Sequence, residues 1–404
     1  MADESAEWRV AGLRQIDRIV LALNDFFGRS KRSEKVPVFI SGCDRGISRA
    51  VSLSAIRLTS DLTELSVSGM LVISTRVVPS RGTFRSAFAH DSAKNFPGLI
   101  VDNTHLTAEI GALLFERLRA IERESAVVES DWGYLESRSD IARCARQLFR
   151  KTGKSQDGII SRLLNRPLSR GLSRLLVHLP LSPNQWTIWF MSLPVVGACF
   201  VIRGDYFGFA LGAVLFQLHS ALDGCDGEVA RIKYQESAAG KKLDAVCDRL
   251  STLLFAISLG FGLARQQAGT NGGAWLYVLE GISAALLIGV TETWLTHKEI
   301  GDEVASKNDR YSSYVTEHRQ SFNEGDQLKL WMIRNSGMLS FGEAITRFFG
   351  ELTKRDVFNF VFMILALCGR PQWVLHILAF CACAIVIFAV KEIFKPIANA
   401  NSAA

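Results

Sequence analysis

Apolar positions are distributed differently in the two halves of the chain. Up to about residue 150, short apolar runs alternate with amphipathic stretches. VPVFIS (37–41 at its centre), MLVISTRVV near 70–78 and GLIVDN near 98–103 read as buried strands. Between them, GISRAVSLSAIRL and HLTAEIGALLFERLRAIERE read as helices. The stretch 7–27 reads as an amphipathic helix, with Val10, Leu13, Ile16, Ile19, Val20 and Leu23 on its apolar side. Strands alternating with helices predict a soluble α/β unit with a parallel, layered sheet over 1–150. Six longer apolar segments follow, at about 186–202, 206–222, 246–264, 274–295, 357–369 and 372–394. Most reach the roughly 20 residues that span a hydrocarbon core, while 357–369 is short and needs help from its neighbours. The predicted architecture is a multi-span α-helical membrane domain of six transmembrane helices over 183–397, preceded by a soluble α/β domain.

The stretch 151–182 joins the two patterns. Arg162, Arg166, Arg170 and Arg174 recur every four residues, and Leu163, Leu164, Leu168, Leu172, Leu175 and Leu176 fill much of the opposite face. This predicts an amphipathic helix at the membrane interface. Its arginines, Arg162, Arg166 and Arg170 above all, are candidates to hold anionic headgroups or a phosphorylated acceptor. Surface anchoring accounts for any one of them equally well. Ser182-Pro183-Asn184 then opens the first membrane helix, with proline at a favourable starting position. The long polar connection 297–355, with Tyr311, Tyr314, Phe322, Trp331 and Phe341, reads as one or two interfacial helices that lid a site or meet a partner.

Charge placement sets the expected orientation. Arg231, Lys233, Lys241 and Lys242 follow the second span, 297–355 is rich in Lys and Arg, and Lys391 and Lys395 close the last span. The opposite connections are short and poor in both. The positive-inside rule then predicts a multi-pass protein of the cell inner (cytoplasmic) membrane, with both termini cytoplasmic. The opening MADESAEWRVAGLRQ is charged and lacks the apolar core of a secretory signal. A net charge of +6 fits attraction to the lipid bilayer, and no nucleic-acid-binding motif is present. Eight cysteines are scattered without a CxxC pair and read as small buried side chains in a reducing compartment. The turn Ser41–Gly46 follows a strand and precedes a helix, where a phosphate fits, though a plain tight turn explains it too.

The chemistry concentrates in LDGCDGEVARIKYQESAAGKKLDAVCDRL, which reads D-x2-D-G-x2-A-R-x8-G-x3-D-x3-D from Asp223 to Asp248. Spacings of three and four place Asp223 with Asp226, and Asp244 with Asp248, on single helix faces. Two such helices facing each other gather four carboxylates, which repel unless cations neutralise them. All-oxygen donors suit hard divalent ions, and a pair of such ions is a common device for handling a phosphate ester. The active site therefore falls on the cytoplasmic side. Gly227 leaves the backbone open to close approach, Gly240 permits a close helix contact or a turn, and Arg231 offers a fixed cation to a phosphate. Cys225, Glu228 and Cys247, at variable positions in the motif, read as packing or local polarity.

This stretch resembles, position for position, the signature of the CDP-alcohol phosphotransferase family. Its members move a substituted phosphate from a CDP-linked alcohol donor to an acceptor hydroxyl and release CMP. The resemblance covers about 160–397 and extends to Pro183-Asn184, followed by Thr187. It implies a homodimer of six-helix subunits and two divalent cations per site, Mg2+ or Mn2+, held by Asp223, Asp226, Asp244 and Asp248. It implies Asp248 as the catalytic base, and CDP contacts from Pro183, Asn184, Thr187, Asp223, Gly227, Ala230, Arg231 and Gly240. A looser likeness, carried by DGIISRLLNRPLSRGLSRLL, PNQ and Arg355-Asp356-Val357-Phe358-Asn359-Phe360, is to the bifunctional inositol-phosphate cytidylyltransferase/di-inositol-phosphate-phosphate synthases. In those, a soluble domain makes the CDP-linked polyol that the membrane domain consumes. Nothing like the G-x-G-T-R loop of nucleotidyltransferases precedes residue 60, so 1–150 is expected to be a degenerate or regulatory module. Two donor classes stay open, CDP-diacylglycerol and a soluble CDP-polyol. From another class, an ion-binding scaffold or transporter would spread its polar residues over several spans rather than cluster them.

Overall fold

The computed structural model describes residues 2–29, 36–40, 47, 56–59, 70–80, 83–84, 99–101, 116–123, 132–152, 159–268, 273–297 and 355–393. The predicted turn Ser41–Gly46 and nearly all of the 297–355 connection lie outside these residues. Two compact units emerge. The first comprises 1–153, 170–183 and 227–236, and the second 154–169, 184–226 and 237–404.

In the first unit the chain opens with a short 3-10 turn, Glu4–Glu7, and an antiparallel pair, β1 (Arg9–Val10) and β2 (Leu13–Arg14). Residues 8–14 are therefore not helical, contrary to the periodicity. Ala11 and Gly12 take positive φ and reverse the chain before α1 (Gln15–Arg29) begins. Strands β3 (Val36–Phe39) and β4 (Ile56–Thr59) pair in parallel. The helix expected through Ile56–Leu58 is thus a strand there. The β-branched Ile56 and Thr59 suit a paired strand, and tertiary pairing overrides the helical reading. The other described pairs are antiparallel: β5 (Met70–Val72) with β7 (Leu99–Val101), and β6 (Val77–Pro79) with β8 (Trp132–Tyr134). Among the described strands a uniformly parallel sheet is not what forms. Strands of three residues pair in either sense, and the sequence pattern carries no signal for direction. Helical structure at 116–123 and α2 (Ile141–Arg150) complete the unit.

Two apolar clusters form its core. Trp8, Val10, Val78, Leu135, Phe149, Val177 and Ile232 make one; Ile19, Leu23, Ile73, Val77, Phe84 and Trp132 make the other. Buried polar side chains tie them together. Asp3 Oδ2 accepts from Arg76 Nε at 2.6 Å and Arg119 Nη2 at 2.8 Å, and Asp3 Oδ1 accepts from Ser5 N at 2.9 Å. Burial pushes the Asp3 carboxyl up, but these hydrogen bonds prevail and hold it well below the usual carboxylate range. The fully buried Arg18 donates to Val10 O at 2.6 Å and Ile232 O at 3.2 Å. Glu122 is the opposite case. Burial raises its carboxyl to about 7, although Ser74 donates to it from both its backbone and its hydroxyl.

The second unit is helical. All six predicted apolar segments lie on helices: α4 (Pro183–Phe190) and α5 (Ser192–Val201), α6 (Tyr206–Leu222), α8 (Ala238–Gln267), α9 (Trp275–His297), α10 (Arg355–Leu367) and α11 (Pro371–Ile393). The amphipathic stretch becomes a wide π-type turn, Ser161–Asn165, running into α3 (Arg166–Leu176); α7 (Gly224–Lys233) links α6 to α8. Phe216 stacks edge-on against Phe255, which stacks on Phe362, and Ala256, Leu259, Leu263 and Leu375 fill the rest. Backbone approach is close where α8 meets α9. A Cβ on Gly260 would lie 2.6 Å from Tyr277 O, and one on Gly281 would lie 2.7 Å from Ala256 O. Small residues that let helices touch are typical of packing within lipid. Among the described residues, α8 has the length and composition to cross a membrane, and the apolar stretches of α9 and α11 are shorter.

Glu122 supplies a pH test. At low pH, below about 4.5, its carboxyl is protonated whether the chain is folded or not, and it costs nothing. As pH rises through about 7 the fold must hold an ionised buried carboxylate, and stability is lost. Glu122→Gln should raise the melting temperature by a few degrees at pH 8 and hardly at all at pH 4. Equal effects at both pH values, read by thermal melts of the full chain, would refute this account of Glu122.

Candidate functional site

The acidic motif is laid out by the junction of three helices. Asp205 caps the start of α6, its Oδ1 accepting from Gly208 N at 2.6 Å, and the helix runs unbroken to Leu222. Asp223 follows as its C-cap, with helical φ and ψ, and donates its N–H to His219 O at 2.9 Å. The chain then enters α7 almost without a break, so Asp226 follows within one turn. Ser237 caps α8, its Oγ accepting from Gly240 N at 2.9 Å. From that start α8 carries Asp244 and Asp248 one turn apart on one face.

The structure brings Asp223 and Asp248 together. Ligand atoms of Asp223, Asp248 and His219 lie within 4.8 Å of one another. Asp226 is 7% exposed and accepts a short hydrogen bond from the Thr187 hydroxyl, at the far end of the Pro-Asn turn. Asn184, at the near end of that turn, sits against Gly240. A Cβ there would lie 2.8 Å from Asn184 Oδ1 and 3.1 Å from Ser237 Oγ, so a larger residue would push Asn184 aside. The N-terminal turn of α4 thus touches both halves of the motif, Asp226 on one side and Gly240 on the other.

The remaining expected residues are placed as follows. Pro183 is buried and starts α4. Gly227, Ala230 and Arg231 continue along α7, Ala230 buried and the other two half-buried, with the Arg231 guanidinium lying over Gly227. Of the arginines expected to receive an acceptor, Arg162 is exposed, Arg170 half-buried and Arg166 buried at 6% exposure. Arg166 is the one that reaches the start of α7: a Cβ on Gly224 would lie 3.2 Å from its Nη1. Beside it, buried Asn165 accepts from Gln217 Nε2 at 3.1 Å. The leucines Leu163, Leu168 and Leu175 are exposed, as on a helix that presents an apolar face outward. Cys225, Glu228 and Cys247 are all buried, in keeping with packing or local polarity. The seven described cysteines are free thiols.

Sequence reasoning missed His219. It is 3% exposed and stands one turn before Asp223. The H-x3-D spacing was the available signal, hidden because the apolar run FGFALGAVLFQLHSAL reads simply as a span. Gln217 was missed for the same reason, and Asn165 because the arginines around it drew the reading.

The donor set fits divalent cations. Asp223 and Asp248 oxygens within 4.8 Å repel by about 3 kcal/mol at an effective dielectric near 20. One carboxylate oxygen each of Asp244 and Asp248 is shut off from solvent, so water does not relieve that repulsion there. Two divalent cations balance four carboxylate charges.

The sequence profile of the CDP-alcohol phosphatidyltransferase family matches residues 181–316. A bifunctional IPC transferase and DIPP synthase of Archaeoglobus fulgidus is 38% identical over 125 residues, covering 31% of this chain and 24% of that protein. The protein of the same description from Aquifex aeolicus is 36% identical over 133 residues, covering 33% and 30%. A phosphatidylinositol phosphate synthase of Corynebacterium glutamicum is 36% identical over 80 residues, covering 20% and 36%. The matched segments thus span about a quarter to a third of these relatives. Residues 181–316, which hold the acidic motif and the turn that pins it, match the CDP-alcohol phosphatidyltransferase family.

Proposed function

We propose that this chain is an integral membrane phosphotransferase that moves a substituted phosphate from a CDP-linked alcohol to an acceptor hydroxyl, releasing CMP. The observation that carries this reading is the approach of Asp223 to Asp248, with Asp226 held by Thr187 and Asn184 set against Gly240. Divalent cations, Mg2+ or Mn2+, held by those four carboxylates neutralise the donor diphosphate when bound. The chain's own groups do the rest. Asn184, Thr187, Gly227, Ala230 and Arg231 receive the CDP moiety, with Gly227 leaving room for the nucleotide and Arg231 hydrogen-bonding a phosphate oxygen. Asp248 accepts the proton of the acceptor hydroxyl as its oxygen attacks the β-phosphorus. The bond from that phosphorus to the bridging oxygen breaks, and CMP departs with the electron pair.

The acceptor reading favours a phosphorylated polyol. Arg166 is buried beside Gly224, a costly place for a guanidinium that only anchors a helix to a surface. Relatives described as phosphatidylinositol phosphate synthase and as IPC transferase and DIPP synthase support inositol-phosphate or phospholipid synthesis as the setting. The donor is either CDP-diacylglycerol or a CDP-polyol.

For the membrane, we propose six spans formed by the helices from α4 to α11 other than α7, with the motif and both termini cytoplasmic and two subunits pairing. Ile188, Trp189, Leu286, Val290 and Phe380 are each more than 60% exposed on these helices, an apolar surface that water would not tolerate but lipid would. Units 1–150 and 297–355 are proposed as regulatory or lid elements. An ion-binding scaffold would hold the same cations but release no CMP.

Asp248→Asn should lower turnover by about 10²- to 10⁴-fold while donor affinity changes by no more than a few-fold. Near-normal turnover at saturating metal, in a coupled assay for CMP, would exclude Asp248 as the base. Arg166→Ala should lower kcat/KM for a phosphorylated acceptor by roughly 10- to 100-fold, the worth of a charge-assisted hydrogen bond, and leave the same acceptor without its phosphate little affected. Equal losses for both acceptors would detach Arg166 from the phosphate.

A further inference from the structure

The acidic site also contains a nitrogen donor. His219 sits on α6 one turn before Asp223, so its ring and the Asp223 carboxylate share a helix face. The side chain is 3% exposed. One ring nitrogen, one Asp223 oxygen and one Asp248 oxygen lie within 4.8 Å of one another, drawn from α6, its C-cap and α8. Donors bound at about 2.2 Å to one cation lie about 3 to 4.4 Å apart, so a small rotation of these side chains brings all three onto a single ion. A histidine packed for bulk alone would need no approach to two carboxylates that already crowd each other. Neutral imidazole is moreover the commonest nitrogen ligand for metals.

We propose that His219 is a direct ligand of one of the two divalent cations, making that site mixed nitrogen and oxygen rather than all oxygen. The proposal rests on the reading that the four aspartates hold cations. Imidazole suits zinc, iron and other transition ions better than magnesium or calcium, and manganese is the weakest of the first-row series. The chemistry expected is therefore a site in which one position discriminates in favour of Mn2+ over Mg2+, and the Asp226 and Asp244 side does not.

The test uses the full chain in detergent with Mn2+ alone as probe, and pulsed electron paramagnetic resonance to read nitrogen directly bonded to the ion. Wild type should show imidazole 14N modulation that becomes 15N modulation when histidine is isotopically labelled. His219→Gln should lose that modulation and bind Mn2+ about tenfold more weakly, with Mg2+ affinity, measured by competition, changed less. His219→Asn, a smaller side chain that keeps an oxygen donor, should bind Mn2+ without the imidazole signal. Mn2+ bound to wild type with no nitrogen coupling would overturn the role of His219 and leave the aspartate site standing. A nitrogen signal persisting in both variants would overturn it as well. No Mn2+ binding at all would sink the aspartate reading, and this one with it.

Discussion

Like charges forced together at the end of a helix pair are the constraint on which the second unit turns. The Asp223 and Asp248 oxygens, within 4.8 Å, oppose folding by an amount comparable to a strong hydrogen bond. Something must hold them there. Close packing of α8 on α9 at Gly260 and Gly281, and the Phe216–Phe255–Phe362 stack, fix α6 and α8 well below the acids. At the top, Thr187 takes hold of Asp226, and Asn184 closes on Gly240. The apolar body of the unit thus imposes the convergence, and ligands that bind the acids recover the electrostatic cost.

The first unit solves the opposite problem, burying charge with its partners already present. Asp3 collects Arg76 and Arg119, and Arg18 is spent on two backbone carbonyls. Only Glu122 is left to burial, with Ser74 as modest compensation, and it answers by holding its proton near neutral pH.

The parts legible in the sequence were those whose signal is local. Apolar runs marked the six apolar segments of the second unit, and D-x2-D with D-x3-D marked the acids, because spacing along a helix decides which side chains share a face. Ser182-Pro183-Asn184 marked the start of α4. What escaped depended on contacts distant in sequence. The reversal at Ala11–Gly12 replaced a helix that the spacing of Val10, Leu13 and Ile16 favoured. Ile56–Thr59 became a strand because Val36–Phe39 lies beside it. Arg162, Arg166 and Arg170, with equal claims in the sequence, separated only on burial, with Arg166 inside and Arg162 outside. His219 looked like an impurity in an apolar span until α8 brought Asp248 to it.

The central claim is most directly tested by an anomalous-difference map from crystals of the full chain grown with Mn2+ and CDP. The account predicts two peaks, both within bonding distance of carboxylates from the Asp223, Asp226, Asp244 and Asp248 set. A map with no peak there, or with ordered aspartate side chains turned away from one another around bound CDP, would contradict it.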